Sequence, residues 1–147
     1  MSFRYPVNWE EFYRNARALA WRLNVGQTWE GIVAITRGGL VPAAVMAREL
    51  GIRKIDTISI VSYDDEDKLI DPIILKSCQI DNQGKGWLVV DDLVDTGTTA
   101  KVIRDMLPEA HIAAIYAKPF GKGLVDTFMT EVSQDTWIVF PWEEEVS

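Results

Sequence analysis

One cysteine, Cys78, and one histidine, His111, occur in 147 residues. No intrachain disulfide can form, and no Cys/His zinc site can be assembled within one chain. A Ser-His-Asp or Cys-His arrangement would have to be built around His111 alone. Long apolar runs are also missing. Gly31–Ile35 and Trp87–Val90 fall far short of the ~20 residues that cross a bilayer. The opening Met1-Ser2-Phe3-Arg4-Tyr5-Pro6 has no apolar signal segment, so a cytoplasmic location is expected. Positive charge is scarce: 15 Lys and Arg against 22 Asp and Glu leave a net charge of −7. Indiscriminate nucleic-acid binding depends on a basic face, so no nucleic-acid partner is expected. What is present is a globular balance, 48% hydrophobic and 25% charged residues, in a length that suits one domain over 1–147.

The hydrophobic pattern predicts alternating strands and helices. Asn8, followed by Glu11, reads as an N-cap with a carboxylate at N3. Phe12, Ala16, Leu19, Ala20 and Leu23 then fall on one helical face, so a helix is predicted over Trp9–Leu23. Ile32–Ile35 reads as a buried strand, Arg37-Gly38-Gly39 as a turn, and Leu40–Leu50 as a helix stopped by Gly51. Strands are predicted at Ile55–Val61, Pro72–Cys78, Trp87–Val90, Ile112–Ala117 and Trp137–Val139, with a helix over Thr98–Leu107. The polar, acidic stretch Ser62–Asp71 reads as a mobile loop. The alternation argues for an α/β fold with a parallel sheet.

The chemistry concentrates in Val89-Val90-Asp91-Asp92-Leu93-Val94-Asp95-Thr96-Gly97-Thr98-Thr99. In an open α/β sheet, ligands bind beyond the C-terminal ends of the strands. A Gly/Thr turn before a helix offers free backbone N–H groups, a favourable dipole and hydroxyls, which suits a phosphate. Asp91 and Asp92 can accept from a vicinal diol or help hold Mg²⁺, and Asp95 could face a reacting atom. The plain alternative is that Asp95 or Thr96 caps the helix. Three carboxylates in five positions raise one another's pKa unless something compensates, which favours function. A receiver domain carries its Asp pair on the first strand, whereas this pair lies past mid-chain, and the Asp-Asp-x-x-Asp spacing does not fit an Asp-x-Asp phosphatase. Neither a Walker loop nor Gly-x-Gly-x-x-Gly is present.

This segment resembles the phosphoribosyl-diphosphate (PRPP) motif of type I phosphoribosyltransferases. Further stretches resemble the purine-salvage members: Ile35-Thr36-Arg37-Gly38-Gly39-Leu40-Val41-Pro42, Ala47–Arg53, Ser62-Tyr63-Asp64, Tyr116-Ala117-Lys118-Pro119, Gln134–Ile138 and Pro141-Trp142. The resemblance implies a parallel central sheet flanked by helices with a small hood. It implies transfer of ribosyl 5-phosphate from PRPP to N9 of guanine or xanthine, and of hypoxanthine as a further acceptor, with release of diphosphate.

By the same resemblance, Asp91 and Asp92 would hold the ribose hydroxyls, with Asp92 nearer Mg²⁺. Asp95 would assist the purine proton, and Thr96, Gly97, Thr98 and Thr99 would cradle the 5-phosphate. Arg37 and Gly38 would form the diphosphate loop, with the bond between them cis. Lys118 would donate to the purine 6-oxo group, Trp137 would stack on the base, and the Ile138 carbonyl would accept from the 2-amino group. Lys68 stands nearest to the arginine that the family carries on its mobile loop. The resemblance further implies a homo-oligomer, dimer or tetramer, with peripheral contact at the inner membrane. A second reading keeps the fold as a regulator that senses PRPP or a nucleotide. Asp95, Lys118 and Trp137 favour the enzyme over it.

Overall fold

A computed structural model describes residues 3–61, 64–65, 68–69 and 72–143. Six strands form the central sheet: β2 (Gly31–Thr36), β3 (Ile55–Val61), β6 (Ile73–Lys76), β7 (Trp87–Val94), β8 (His111–Ala117) and β9 (Thr127–Glu131), in the order β6-β3-β2-β7-β8-β9. All neighbours run parallel except the edge strand β6, which is antiparallel to β3. Two short strands, β1 (Phe3–Pro6) and β10 (Thr136–Val139), pair in parallel as a separate hood. The backbones of β4 (Asp64–Asp65) and β5 (Lys68–Leu69) form a two-residue antiparallel ladder.

The helices bury the two faces of the sheet differently. α1 (Trp9–Leu23) and α2 (Leu40–Leu50) cover one face, where Phe12, Leu19 and Met46 pack on Ile32, Ala34, Leu88 and Val90. α3 (Thr98–Met106) covers the other, where Ile103 and Leu107 pack on Val33, Ile35, Val89 and Ile112. Adjacent strand residues thus serve opposite cores, and this is why the central strands read as continuous apolar runs. Asn8 caps α1 through Glu11 N–H at 2.8 Å. The Glu11 carboxylate is taken by the Tyr5 hydroxyl at 2.7 Å, so the box is not reciprocal. Gly51 ends α2 in the left-handed region at φ 67°, where glycine carries no Cβ penalty. The hood joins the body through aromatic rings. Trp142 stacks on Phe140 at 4.9 Å and meets Phe12 edge-on, while Tyr116 meets Tyr5 and Phe140 edge-on.

Two differences from the sequence reading matter for the site. β7 does not stop at Val90. It carries Asp91 and Asp92 to Val94, because the ladder with β8 continues through Asp91↔Ala114, Leu93↔Tyr116 and Val94↔Ala117. Carboxylates are tolerated there because the end of the sheet opens into a cavity rather than into the core. The cis bond lies between Thr36 and Arg37, one residue before the expected position. The turn is then closed by Gly39 N–H donating to the Ile35 carbonyl at 2.7 Å. Gly39 is forced by space. A Cβ there would run into the Val90 carbonyl and lie 2.7 Å from the Ile35 carbonyl, both backbone. Gly39→Ala is expected to cost about 3 kcal/mol in urea denaturation, as overpacking of a dense core does. An unchanged midpoint would refute that close approach.

Candidate functional site

The turn after β2 and the ends of β7 and β8 converge at the C-terminal edge of the sheet. A cavity of about 670 Å³ is lined by Thr36, Arg37, Gly38, Asp91, Asp92, Thr99, Trp142 and Glu143, with Ile35 and Ile60 beneath. A second, of about 290 Å³, runs along Asp95, Thr96, Gly97, Thr98 and Thr99 and shares Asp91 and Thr99 with the first. Nine of the residues singled out by sequence are placed as follows: Arg37, Gly38, Asp91, Asp92 and Thr99 line the first cavity, and Asp95, Thr96, Gly97 and Thr98 join Asp91 and Thr99 on the second. Lys68 has its backbone in β5, but its side chain lies outside the described residues, as do parts of Ser62–Asp71.

Free amides mark the start of α3. Its N-cap is Gly97, at φ 90°, and no side chain caps it. Neither Asp95 nor Thr96 therefore plays the capping role that would have explained them away. The first-turn N–H groups of α3 remain available to an anion, with the positive end of the helix dipole behind them. The Thr96 and Thr98 hydroxyls lie 3.0 Å apart at the rim. A Cβ on Gly97 would strike Leu124, so the turn is packed from below as well as bent.

The two adjacent carboxylates are short of positive charge. Asp91 Oδ1 accepts from Asp92 N–H at 2.8 Å. Burial, and then the neighbouring Asp92 charge, push the Asp91 carboxyl well above the usual carboxylate range. Burial raises Asp92 to about 6, with the Glu143 charge adding to it. The folded protein therefore binds protons here more tightly than the unfolded chain. Stability contributed by Asp92 is fullest below about pH 4 and is lost as pH rises through about 6, and the upward shift of Asp91 acts in the same direction. Asp92→Asn should remove part of that decline and stabilise the free protein near neutral pH by about 1–2 kcal/mol. Urea denaturation at pH 4 and pH 7 measures it. A variant less stable than wild type at pH 7 would contradict the shift. Gly38 keeps Asp92 where it is, since a Cβ at Gly38 would lie 2.5 Å from both Asp92 oxygens.

The third corner is set by strand register. Lys118 N–H donates to the Val94 carbonyl at 2.9 Å, one step beyond the β7–β8 ladder. This places Lys118 beside Asp95, with Lys118 Nζ 3.3 Å from Asp95 Oδ2. The lysine side chain is 7% exposed and the aspartate 52%. A buried ammonium at a strand end is not the usual solvated lysine. Trp137 is 63% exposed on β10, and the Ile138 side chain is buried in the core shared with α1 and α2. Neither side chain lines the two cavities. What they could offer a base is a ring face and a backbone carbonyl. His111 sits at the opposite end of β8, against Thr127 at 2.8 Å and edge-on to Trp29. It is about 20 Å along the strand from Lys118, so no histidine serves the site.

Sequence reasoning missed Trp142 and Glu143 as cavity residues, although Pro141-Trp142 was among the matching stretches. It also passed over Gln134, whose Nε2 donates to Asp95 Oδ1 at 2.7 Å. Gln134 opens the matching stretch Gln134–Ile138, but a glutamine in a loop carries no spacing signal of its own, and its bond to Asp95 is visible only in the fold.

An uncapped helix start behind a Gly/Thr turn, paired carboxylates and a lysine–aspartate pair thus meet at one edge of the sheet. The chain matches the phosphoribosyl transferase domain over residues 7–147 and belongs to that family. It is 57% identical over 142 residues to the xanthine-guanine phosphoribosyltransferase of Nitratidesulfovibrio vulgaris (strain DP4), covering 97% of this chain and 86% of that one. It is equally similar to the protein of the same name from Desulfotalea psychrophila, with 96% and 87% covered. Among solved structures, a purine phosphoribosyltransferase from Pyrococcus horikoshii superposes with a TM-score of 0.83 at 30% identity, covering 98% and 96%. The Helicobacter pylori xanthine-guanine-hypoxanthine phosphoribosyltransferase gives 0.77 at 25% identity, covering 95% and 94%. The expected fold, a mostly parallel sheet with flanking helices, is the fold found. Among the described residues no helix is long and apolar enough to cross a membrane.

Proposed function

We propose that the protein transfers ribosyl 5-phosphate from PRPP to N9 of guanine or xanthine, and of hypoxanthine as a further acceptor. The observation that carries this reading is the buried Lys118 paired with Asp95 next to the uncapped α3 turn. In that arrangement Lys118 can donate to an exocyclic oxygen and Asp95 can accept a ring proton, which supports the reading. The 57% identical relatives named as xanthine-guanine phosphoribosyltransferases support it. The relatives named above are enzymes by name, which supports the transferase over the regulatory alternative.

In this reading the first-turn amides of α3, with Thr96, Gly97, Thr98 and Thr99, take the 5-phosphate. Asp91 and Asp92 accept from the ribose hydroxyls. Arg37 and the Gly38 amide face the diphosphate. The C1′–O bond breaks, and diphosphate leaves with the electron pair. The N9 lone pair closes on C1′ from the opposite face, and the proton displaced from the purine imidazole passes to Asp95. Positive charge developing on the ribose is favoured by the carboxylates, and negative charge on diphosphate by Arg37. Trp137 offers a stacking face, and the Ile138 carbonyl an acceptor for a 2-amino group.

The carboxylate pair suits Mg²⁺. Among the described residues no three His, Cys, Asp or Glu groups form a cage by themselves. Two charge-deficient carboxylates on an open cavity match an ion that keeps most of its shell for substrate oxygens and water. Asp92, with Asp91 beside it, would hold the ion, whose chemistry is charge neutralisation on diphosphate. PRPP-dependent nucleotide formation, assayed in parallel with guanine, xanthine, hypoxanthine and adenine, tests the reading. Absence of product with all four would refute it.

A further inference from the structure

Asp95 is half exposed, and a carboxylate on such a turn can rotate freely unless both oxygens are held. Both are held. Lys118 Nζ reaches Oδ2 at 3.3 Å, and Gln134 Nε2 reaches Oδ1 at 2.7 Å. The shorter of the two bonds is the one to glutamine. The orientation of that amide is dictated chemically. Gln134 Oε1 accepts from Phe120 N–H at 2.9 Å. The backbone amide can only donate and a carboxylate can only accept, so the glutamine must turn its oxygen to Phe120 and its NH₂ to Asp95. One side chain thereby ties the turn after β7, the turn after β8 and the segment leading into β10.

We propose that Gln134 is the positioning residue for Asp95, a role that rests on the proton-accepting reading of Asp95 above. A 6-oxopurine drawing Lys118 to its exocyclic oxygen would weaken the longer Lys118–Asp95 contact. The glutamine, anchored on Phe120 rather than on the base, keeps the carboxylate in place when Lys118 is engaged. Its amide also gives Asp95 a short hydrogen bond without adding charge to the base subsite. Displacement of a reacting group by about 1 Å costs on the order of 10²-fold, so this tether is set to act on turnover rather than on PRPP affinity.

Two variants separate positioning from loop structure. Gln134→Leu removes both bonds. Gln134→Glu keeps an acceptor for Phe120 N–H but faces Asp95 with a second carboxylate. With guanine and PRPP, both variants are expected to lose about 10- to 100-fold in kcat while KM for PRPP stays within about twofold. Gln134→Glu should be at least as impaired as Gln134→Leu. In an Asp95→Asn background, Gln134→Glu should add less than about twofold, because the two substitutions act through one group. A nearly normal Gln134→Glu beside a poor Gln134→Leu would overturn the proposal, since only the Phe120 tie would then matter. Normal kcat in both, or a parallel loss of PRPP affinity, would overturn it as well. If Asp95→Asn alone left turnover intact, the proton role of Asp95 would fail first. A deficit of Gln134→Glu in that setting would show the glutamine acting elsewhere.

Discussion

Asp95→Asn lowers turnover with guanine by about 10²–10⁴-fold, the usual worth of a positioned proton acceptor, and leaves PRPP binding close to wild type. The argument rests on which contacts survive. The α3 turn is built from backbone amides and from Gly97 geometry, neither of which involves the Asp95 side chain. Asp92 and Arg37 line the neighbouring cavity, and Asp91 lines both. An asparagine keeps the size of the side chain but offers one oxygen where two donors now converge, Lys118 Nζ and Gln134 Nε2. One of them must lose its acceptor, and no basic oxygen remains for the purine proton. Steady-state kcat with guanine, set beside calorimetric PRPP affinity, measures both halves. Wild-type turnover in this variant would remove Asp95 from the chemistry. A loss of PRPP affinity matching the loss of kcat would reassign it to sugar binding.

Much of the frame was legible because its signals are local. The 3.6-residue pattern of Phe12, Ala16, Leu19, Ala20 and Leu23 placed α1 at the residues it occupies, and Gly51 marked the end of α2. β1 and β9 were not legible. Phe3–Pro6 is wholly exposed and contains a proline, and Thr127–Glu131 is an edge strand of intermediate burial, so neither shows an apolar run. The end of β7 was misread because an aspartate pair normally closes a strand. Here tertiary register with β8 carries the strand on. Individual groups of the site could be read from residue type: the carboxylates, the Gly/Thr turn, Arg37. Their mutual geometry could not. Lys118 meets Asp95 across 23 positions of sequence because two parallel strands are in register, and Gln134 reaches the same carboxylate across 39. Those separations are properties of the sheet and hood, not of any motif.

Adenine is expected to be a poor acceptor, by ~10⁴-fold or more relative to guanine, as in sites that reject an analogue lacking the required hydrogen-bonding group. Guanine, xanthine and hypoxanthine all present an oxygen at position 6, and adenine presents an amine. Lys118 has three protons to donate and no lone pair to offer while charged. Its side chain is 7% exposed, so water cannot readily replace a missing acceptor. Adenine would set N–H against N–H⁺ and leave a desolvated ammonium with Asp95 alone. The penalty for an unsatisfied buried charge exceeds the ~1–3 kcal/mol of a neutral group. Lys118→Ala should therefore narrow the ratio by losing guanine activity rather than by gaining adenine activity. Removing the donor takes away what favours oxygen and supplies nothing that accepts from an amine. The kcat/KM values for both bases, in both proteins, decide the matter. Wild-type protein using adenine as well as guanine would remove Lys118 from base recognition and the 6-oxopurine reading with it.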